Sequence, residues 1–472
     1  MDIIPEDGYD QELKVTFQPE LYLQRRIWIL DLLRKESITQ VLDVGCGEGQ
    51  LLSPLSQAAS WLSPPPPSIL PPKNSEPGYT GNPIPNLHIS HLHGLDVSQP
   101  DLEFAARSTA PSSDDIPLSQ FHIHHNRWEE LEVKLWQGGL EVVNEEFVNI
   151  ECIVSMEVIE HLPPEIVPAF APVLLGVYHP EFLLITTPSY TYNSRFTAPN
   201  APTSARQGFV DPTGRTDRIF RHDDHQFEWT FEEFREWCDE TAKEWGYAVE
   251  VSGVGRAVQP DPWGREKELG YATSVACFKK NNTMQDCERG RRGREVVTEL
   301  ALPSKEHELF SKHIHRSHPS SQKPKSLVEV AEAVVEKMDH FHETFMRVEE
   351  LWFEPEISVA CGGWIELLIR AAEESESLSV MRDGGIGNDE KIWMIQRLGG
   401  PTNLVPPWSA NSESSLDYIP PEWEPEGRVF EDSAKADGEF SWNNSELETG
   451  NEWSENNNWG SSNEAGGADW RD

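Results

Sequence analysis

Cysteine is scarce and unpaired: Cys46, Cys152, Cys238, Cys277, Cys287 and Cys361 are scattered through 472 residues with no C-x-x-C among them. That spacing argues against a zinc ribbon or a disulfide framework and suits a reducing compartment. Long hydrophobic runs are missing as well. Stretches such as "FLLI" (182–185) are far too short to cross a bilayer, and the acidic start "MDIIPEDGYD" carries no apolar signal core. The expected setting is therefore intracellular, in the cytoplasm and also the nucleus. Basic residues are few, 39 Lys and Arg against 80 Asp and Glu, and the resulting net charge of -41 opposes any general attraction to nucleic acid or membrane. Any contact with a polyanion would need a local basic patch. With 37% hydrophobic residues and a mean hydropathy of -0.54, much of the chain cannot be core, so one good domain plus disordered length is expected.

What is present reads as alternating elements. "LYLQRRIWILDLL" (21–33) has apolar residues at helical spacing, and "TQVLDVGCGEGQLL" (39–52) is a strand running into a glycine turn. Residues 53–85 are proline-rich and read as a surface insertion. "LHISHLHGLDVS" (87–98) and "EFLLITTPS" (181–189) read as strands, and "FVNIECIVSMEVIEHL" (147–162) as a strand entering a helix. "TFEEFREWCDETAKEWGY" (230–247) opens with a capping box, and "YAVEVSGVG" and "YATSVACFKK" follow as closing strands. The expected fold class is α/β, Rossmann-like with a mostly parallel sheet, over residues 15–280. Then come a charged linker (281–325), a helical accessory region (326–400) in which "KIWMIQRL" reads as a strand, and a disordered acidic tail (401–472).

In "VLDVGCGEG" (41–49) an acid ends a hydrophobic strand and G-x-G-x-G follows, letting backbone approach a ligand at a helix start. A plain turn or a nucleotide site also needs glycines. Asp43 tips the balance, because a pyrophosphate disfavours an acid there whereas the ammonium of S-adenosylmethionine (SAM) favours it. Asp43, Gly45 and Gly47 are thus candidate SAM contacts, with Asp96 at the next strand end to accept from ribose hydroxyls. Asn126 or Arg127 in "HHNRWEEL" stands where an adenine contact is expected.

"EVIEHLPPE" (157–165) sets Glu157, Glu160 and His161 at i, i+3 and i+4, one face if helical. Alone this is equally the polar lining of a metal-free pocket, and a further ligand is required. "FRHDDHQFEWTFEEF" (220–234) offers His222, Asp223, Asp224 and His225, which a solvated loop or a helix cap would also explain. Taken in order, "FQPELYLQRR", "DVGCGEG", "MEVIEHL", "TTPS" and "DHQFEWT" resemble the Hua-enhancer-type small-RNA 2′-O-methyltransferases over about residues 17–280. The resemblance implies methyl transfer from SAM to the 2′-hydroxyl at the 3′ end of a small RNA. It also implies a divalent ion, Mg2+ or Mn2+, held by Glu157, Glu160, His161 and His225, with Glu157, Glu160 and His161 catalytic and His161 the proton acceptor. Two carboxylates with two imidazoles suit Mn2+, Co2+ or Fe2+ better than Mg2+. "FQPEL" departs from the family, where a second proline is usual, and no double-stranded-RNA module of the plant type is expected.

Residues 187–221 carry five arginines and two acids, a local reversal of sign, interleaved with Tyr190, Tyr192, Phe196 and Phe209. A solubilising loop is the plain explanation. The alternative is a groove for single-stranded RNA, with Arg25, Arg26, Arg195, Arg215 and Arg218 as contacts. Residues 404–472 hold 16 acids and 3 bases, yet also Trp408, Trp423, Trp442, Trp453, Trp459 and Trp470. Tryptophans flanked by small and acidic residues resemble Argonaute-binding Trp hooks, which makes an Argonaute protein a candidate partner. The alternatives are a quinone-type small-molecule O-methyltransferase and a non-catalytic Argonaute adaptor.

Overall fold

The computed structural model describes residues 12–399 apart from 73–78, 80–84, 112–125, 203–204, 304 and 383–391. Residues Met1–Ala410 cluster as one unit, and Asn411–Asp472, with most of the acidic tail, lie outside the described residues. Five strands run parallel: β1 (Gln40–Val44), β2 (His91–Asp96), β3 (Leu131–Gln137), β4 (Cys152–Met156) and β5 (Phe182–Pro188). A small hairpin, β6 (Phe209–Val210) with β7 (Ile219–Phe220), stands apart. The main sheet is completed by β8 (Tyr247–Val254), β9 (Thr273–Lys280) and β10 (Glu308–His315), giving the order β10-β3-β2-β1-β4-β5-β9-β8. β9 lies antiparallel to β5 and β8, and β10 antiparallel to β3. This is a Rossmann-like, mostly parallel sheet, with the change of strand order between β1 and β4 opening a crevice at the strand ends.

Both faces are covered. Leu42, Val44, Ile153, Leu183 and Ile185 meet α5 (Phe231–Trp245) and the wide helical turn Pro172–Val177 on one side. Val41, Val154 and Leu184 meet α1 (Leu21–Lys35), the short α2 (Leu52–Leu55) and α3 (Gln99–Ser108) on the other. Thr230 caps α5 with the expected reciprocal box, its hydroxyl accepting from Glu233 N at 3.2 Å.

The charged stretch after β9 is no linker. Asp286–Leu300 form α7, after the short α4 (Val167–Ala171) and α6 (Glu266–Leu269), and β10 pairs along the whole of β3. Gly293 lets α7 touch the turn below it, since a Cβ there would lie 2.8 Å from the Pro172 carbonyl oxygen. Arg289 is fully buried and donates to the carbonyls of Trp245 (2.8 Å) and Gly246 (3.1 Å), closing the end of α5.

The accessory region contains α8 (Leu327–Phe341), α9 (Val348–Trp352), α10 (Pro355–Ala360) and α11 (Ile365–Glu374). Against them lies a small sheet of β11 (Phe345–Arg347), β12 (Leu378–Met381) and β13 (Met394–Arg397). Its core takes in Leu62, Trp61 and Tyr79 from the proline-rich segment and Trp128 from before β3. That segment is therefore not a free surface insertion. Leu62 N donates to Gly363 O at 2.8 Å, and the Trp352 indole donates to Ser60 O at 2.8 Å. Arg127, an expected adenine contact, instead donates to Ser56 O and accepts from His318 N, so it anchors the same seam.

Candidate active site

The end of β1 follows from its glycines. Gly45 has φ +71°, and a Cβ on it would come within 2.5 Å of Val158, so only glycine makes this turn. Asp43 below it is buried, and its Oδ1 has no hydrogen-bond partner among the described residues. Burial, then the nearby Asp96 charge, pushes its carboxyl up to about 8. Asp96 joins the turn to β2: Oδ2 accepts from Gly47 N and Oδ1 from Ser98 N, each at 2.8 Å. Each oxygen keeps acceptor capacity for a hydroxyl. Burial raises the Asp96 carboxyl also.

Beyond β4 the chain makes one 3-10 turn, Ile159–His161, rather than the expected helix, because Pro163 and Pro164 cannot continue it. Glu157 sits at φ +56°, held by its N–H to Thr186 O at 3.0 Å. Its Oε1 accepts from the Thr186 hydroxyl (2.7 Å), and its Oε2 pairs with Arg25 Nη2 (2.7 Å), whose Nε reaches Thr273. Glu157 thus stands beside the other acid without sharing its face. Glu160 is fully buried; Oε2 accepts from Thr187 Oγ1 at 3.0 Å and Oε1 is unpartnered among the described residues. Burial, followed by the Glu157 charge, holds its carboxyl well above the usual range.

One ligand atom each from Glu160, His161 and His225 lies within 4.8 Å of the others. The loop that brings His225 is tied down by Gln226 N donating to Glu160 O at 2.7 Å. His225 Nδ1 meets Glu228 Oε1 at 2.8 Å, both side chains buried, which leaves Nε2 as the free ring atom. His161 Nδ1 faces Asp224 Oδ2 at 3.2 Å, and burial lowers its pKa despite that acid. His222 forms a second cluster with Asp224 and His225. Glu228 was missed, though it stands three residues after His225 in "DHQFEWT"; Asn193 Nδ2 donates to its other oxygen at 2.6 Å.

Three arginines of the loop are paired with other parts of the protein. Arg195, expected to meet RNA, is buried: it donates to Gln259 O and Pro260 O and pairs with Asp261 at 3.5 Å, so no phosphate can reach it. Arg218 is bidentate to Glu233 (2.7 and 2.8 Å) and lies over Tyr190 at 4.7 Å. Arg221 pairs with Glu12 over the Phe196 ring. Tyr192 is buried, whereas Phe209 is exposed. Arg26 donates to Gln50 O at the glycine turn, and Arg215 is exposed with only Thr213 Oγ1 at its Nε. Among the described residues, no helix is long and apolar enough to cross a membrane.

No family model matches the chain. It is 26% identical over 267 residues to the small RNA 2′-O-methyltransferase of Arabidopsis thaliana, which covers 56% of this chain and 23% of that one. The Rattus norvegicus enzyme of the same name is 26% identical over 343 residues, covering 72% and 69% of the two chains. For Schizosaccharomyces pombe the figures are 26% over 282 residues, 58% and 64%. The chain therefore spans under a quarter of the plant relative's length and about two thirds of the others. Among solved structures it is similar to the small RNA methyltransferase HEN1, with TM-score 0.41 and 21% identity over 64% of this chain and 28% of that one. The methyltransferase domain of bacterial CtHen1-C gives TM-score 0.36 and 24% identity over 56% and 100%. Sequence similarity makes the chain a distant relative of the small RNA 2′-O-methyltransferases of plants, animals and fungi.

Proposed function

We propose that this protein transfers a methyl group from SAM to the 2′-hydroxyl of the 3′-terminal nucleotide of a single-stranded small RNA, with the help of one divalent cation. The observation that carries this reading is the buried, unpartnered Glu160 Oε1 beside His161 and His225. An orphaned carboxylate oxygen in a dry site is costly unless a cation meets it. Glu228 holds His225 Nδ1 and so fixes the ring with Nε2 free, the second-layer support that a ligating histidine needs. Three nitrogen and oxygen donors fit Mn2+ and, less well, Mg2+. Such an ion would lower the pKa of a ribose hydroxyl. Glu157, paired with Arg25, adds charge at the rim and would have to leave Arg25 to ligate.

On the cofactor side, Asp43 offers its free oxygen to the SAM ammonium, and Asp96 accepts from the ribose while holding the glycine turn through Gly47 N. His161 cannot serve as both ligand and base at Nε2, since one lone pair serves one role and Nδ1 already faces Asp224. We assign it ligation. Asp224, largely exposed and between His161 and His222, is the acceptor that passes the hydroxyl proton to water.

The test is to incubate purified protein with labelled SAM, with or without EDTA or added Mn2+, and RNA ending in a 2′-hydroxyl or 2′-deoxy nucleotide. Label should enter only the ribo-ended RNA, only with metal, and the product should resist periodate oxidation and β-elimination. Transfer to deoxy-ended RNA, or transfer indifferent to EDTA, would overturn the reading. The tail, residues 404–472, we propose as an Argonaute-binding segment on the strength of its six tryptophans. Equal recovery of Argonaute by the tail and by its all-Trp-to-Ala version would sink that idea. The six unpaired cysteines support placing the protein in the cytoplasm or nucleus.

A further inference from the structure

A cleft of about 470 Å3 is lined in part by Glu228, the residue that meets His225 Nδ1. Pro164 and Val167 form one wall, just after the 3-10 turn that carries His161; Phe227 and Trp229 form another. Both aromatics are partly exposed, and Trp229 is braced by stacking on Trp237 at 5.2 Å. They are the two aromatics of "DHQFEWT", and neither has a part in holding the cluster or in capping α5. Five charged side chains line the cleft, and four are consumed internally. Asp211 accepts from Thr213 and Thr216, Glu228 from Asn193 and the His225 ring, and Arg218 and Glu233 hold one another. Arg215 alone has its terminal nitrogens uncommitted, since it is exposed and only its Nε is used, on Thr213. The cleft therefore presents aromatic side chains and, although its three acids outnumber its two arginines, one cation, Arg215, whose terminal nitrogens are open to a ligand.

We propose that this cleft takes the base of the nucleotide preceding the methylated end, laid against Phe227 and Trp229, with the adjoining phosphate on Arg215. Stacking reads no sequence, because every base has a π-face, so this contact grips any single strand. It also needs an unpaired neighbour to the terminal nucleotide, which makes the cleft a device for choosing single-stranded ends over duplex ones. The proposal rests on the RNA-methylating reading above. It adds that Glu228 has two duties: it orients His225 and it helps to line the base cleft.

The experiment uses the full chain with Mn2+, labelled SAM and two single-stranded RNA oligonucleotides, one intact and one abasic at the nucleotide before the terminal ribose. The abasic RNA should show a KM about tenfold higher, with kcat little changed, in keeping with one lost stacking contact. Phe227→Leu, which keeps an apolar side chain but removes the ring, should raise KM severalfold for intact RNA and leave the abasic RNA unaffected. Arg215→Ala, at an exposed position, should flatten the salt dependence of RNA binding by about one phosphate contact, a log-log slope change of roughly 0.7. Equal KM for the two RNAs in the unaltered protein would overturn the proposal, as would a Phe227→Leu effect of the same size on both. Failure of the parent reading looks different: no methyl would enter either RNA, or it would enter a 2′-deoxy end as readily.

Discussion

At about pH 8 roughly half of the Asp43 carboxyls still hold a proton in the ligand-free protein, because burial and the Asp96 charge both oppose ionisation. The folded pKa lies above the unfolded one, so the fold binds more protons than the unfolded chain between about pH 4 and 8. The stability this group contributes is complete below pH 4 and is lost as pH climbs through 8, a swing of the order of a few kcal/mol. Thermal denaturation of ligand-free Asp43→Asn should show a flatter loss of Tm between about pH 5 and 8 than the unaltered protein, and SAM binding by calorimetry should fall at least tenfold. An unchanged pH slope would show that Asp43 is not the buried acid that matters. A second residue-scale expectation concerns Arg25, the cation that now answers Glu157. Arg25→Ala leaves two neighbouring carboxylates unopposed, and Mn2+ affinity measured by electron paramagnetic resonance should rise severalfold, by Coulomb attraction. Weaker Mn2+ binding would mean instead that Arg25 holds Glu157 in a useful pose.

Elements explain which parts of the architecture could be read in advance. β1, β4 and β5 were legible because they are buried on both faces and are mostly apolar, and β2 because Leu92 and Leu95 lead into the strand-end acid Asp96. β3 and β10 were not: β3 alternates, its Glu132 and Lys134 answer each other and Lys312 across the edge, and such a strand reads as polar loop. α7 was hidden for a similar reason. Its outer face is charged, with Arg291 pairing Glu288 and Glu295 a turn away, while its inner face is held by glycines and a buried arginine instead of leucines. The cluster of Glu160, His161 and His225 was half legible: its residue types could be named, but the i, i+3, i+4 spacing of Glu157, Glu160 and His161 suggested one helical face where Pro163 and Pro164 permit a single turn. Arg195 was misread because its acid, Asp261, lies far along the chain. The mutation that checks α7 is Arg289→Ala. Stripping two buried carbonyls of their donor should cost about 2–4 kcal/mol in urea denaturation. A loss under about 0.5 kcal/mol would mean that α7 is an ornament on the sheet.

For the whole molecule, the seams decide where the chain can be cut. A chain shortened to residues 1–280 loses β10 and α7, uncovering the β3 edge and the apolar turn Pro172–Val177. It should express insolubly, since an open strand edge invites pairing between copies. Residues 1–325 restore the sheet but leave Trp61, Leu62 and Trp128 without the helices they pack on. Only residues 1–400 should unfold in one cooperative step by circular dichroism, and cooperative unfolding of 1–280 would contradict this account of the boundaries. The seam itself joins two stretches about 300 positions apart, with Ser60 receiving indole protons from both Trp128 and Trp352. Neither stretch can be gained or lost alone without stranding tryptophans in water, so across related chains the proline-rich segment and the C-terminal helices should be present together or absent together, inherited as a single heirloom although they are written on separate pages of the gene.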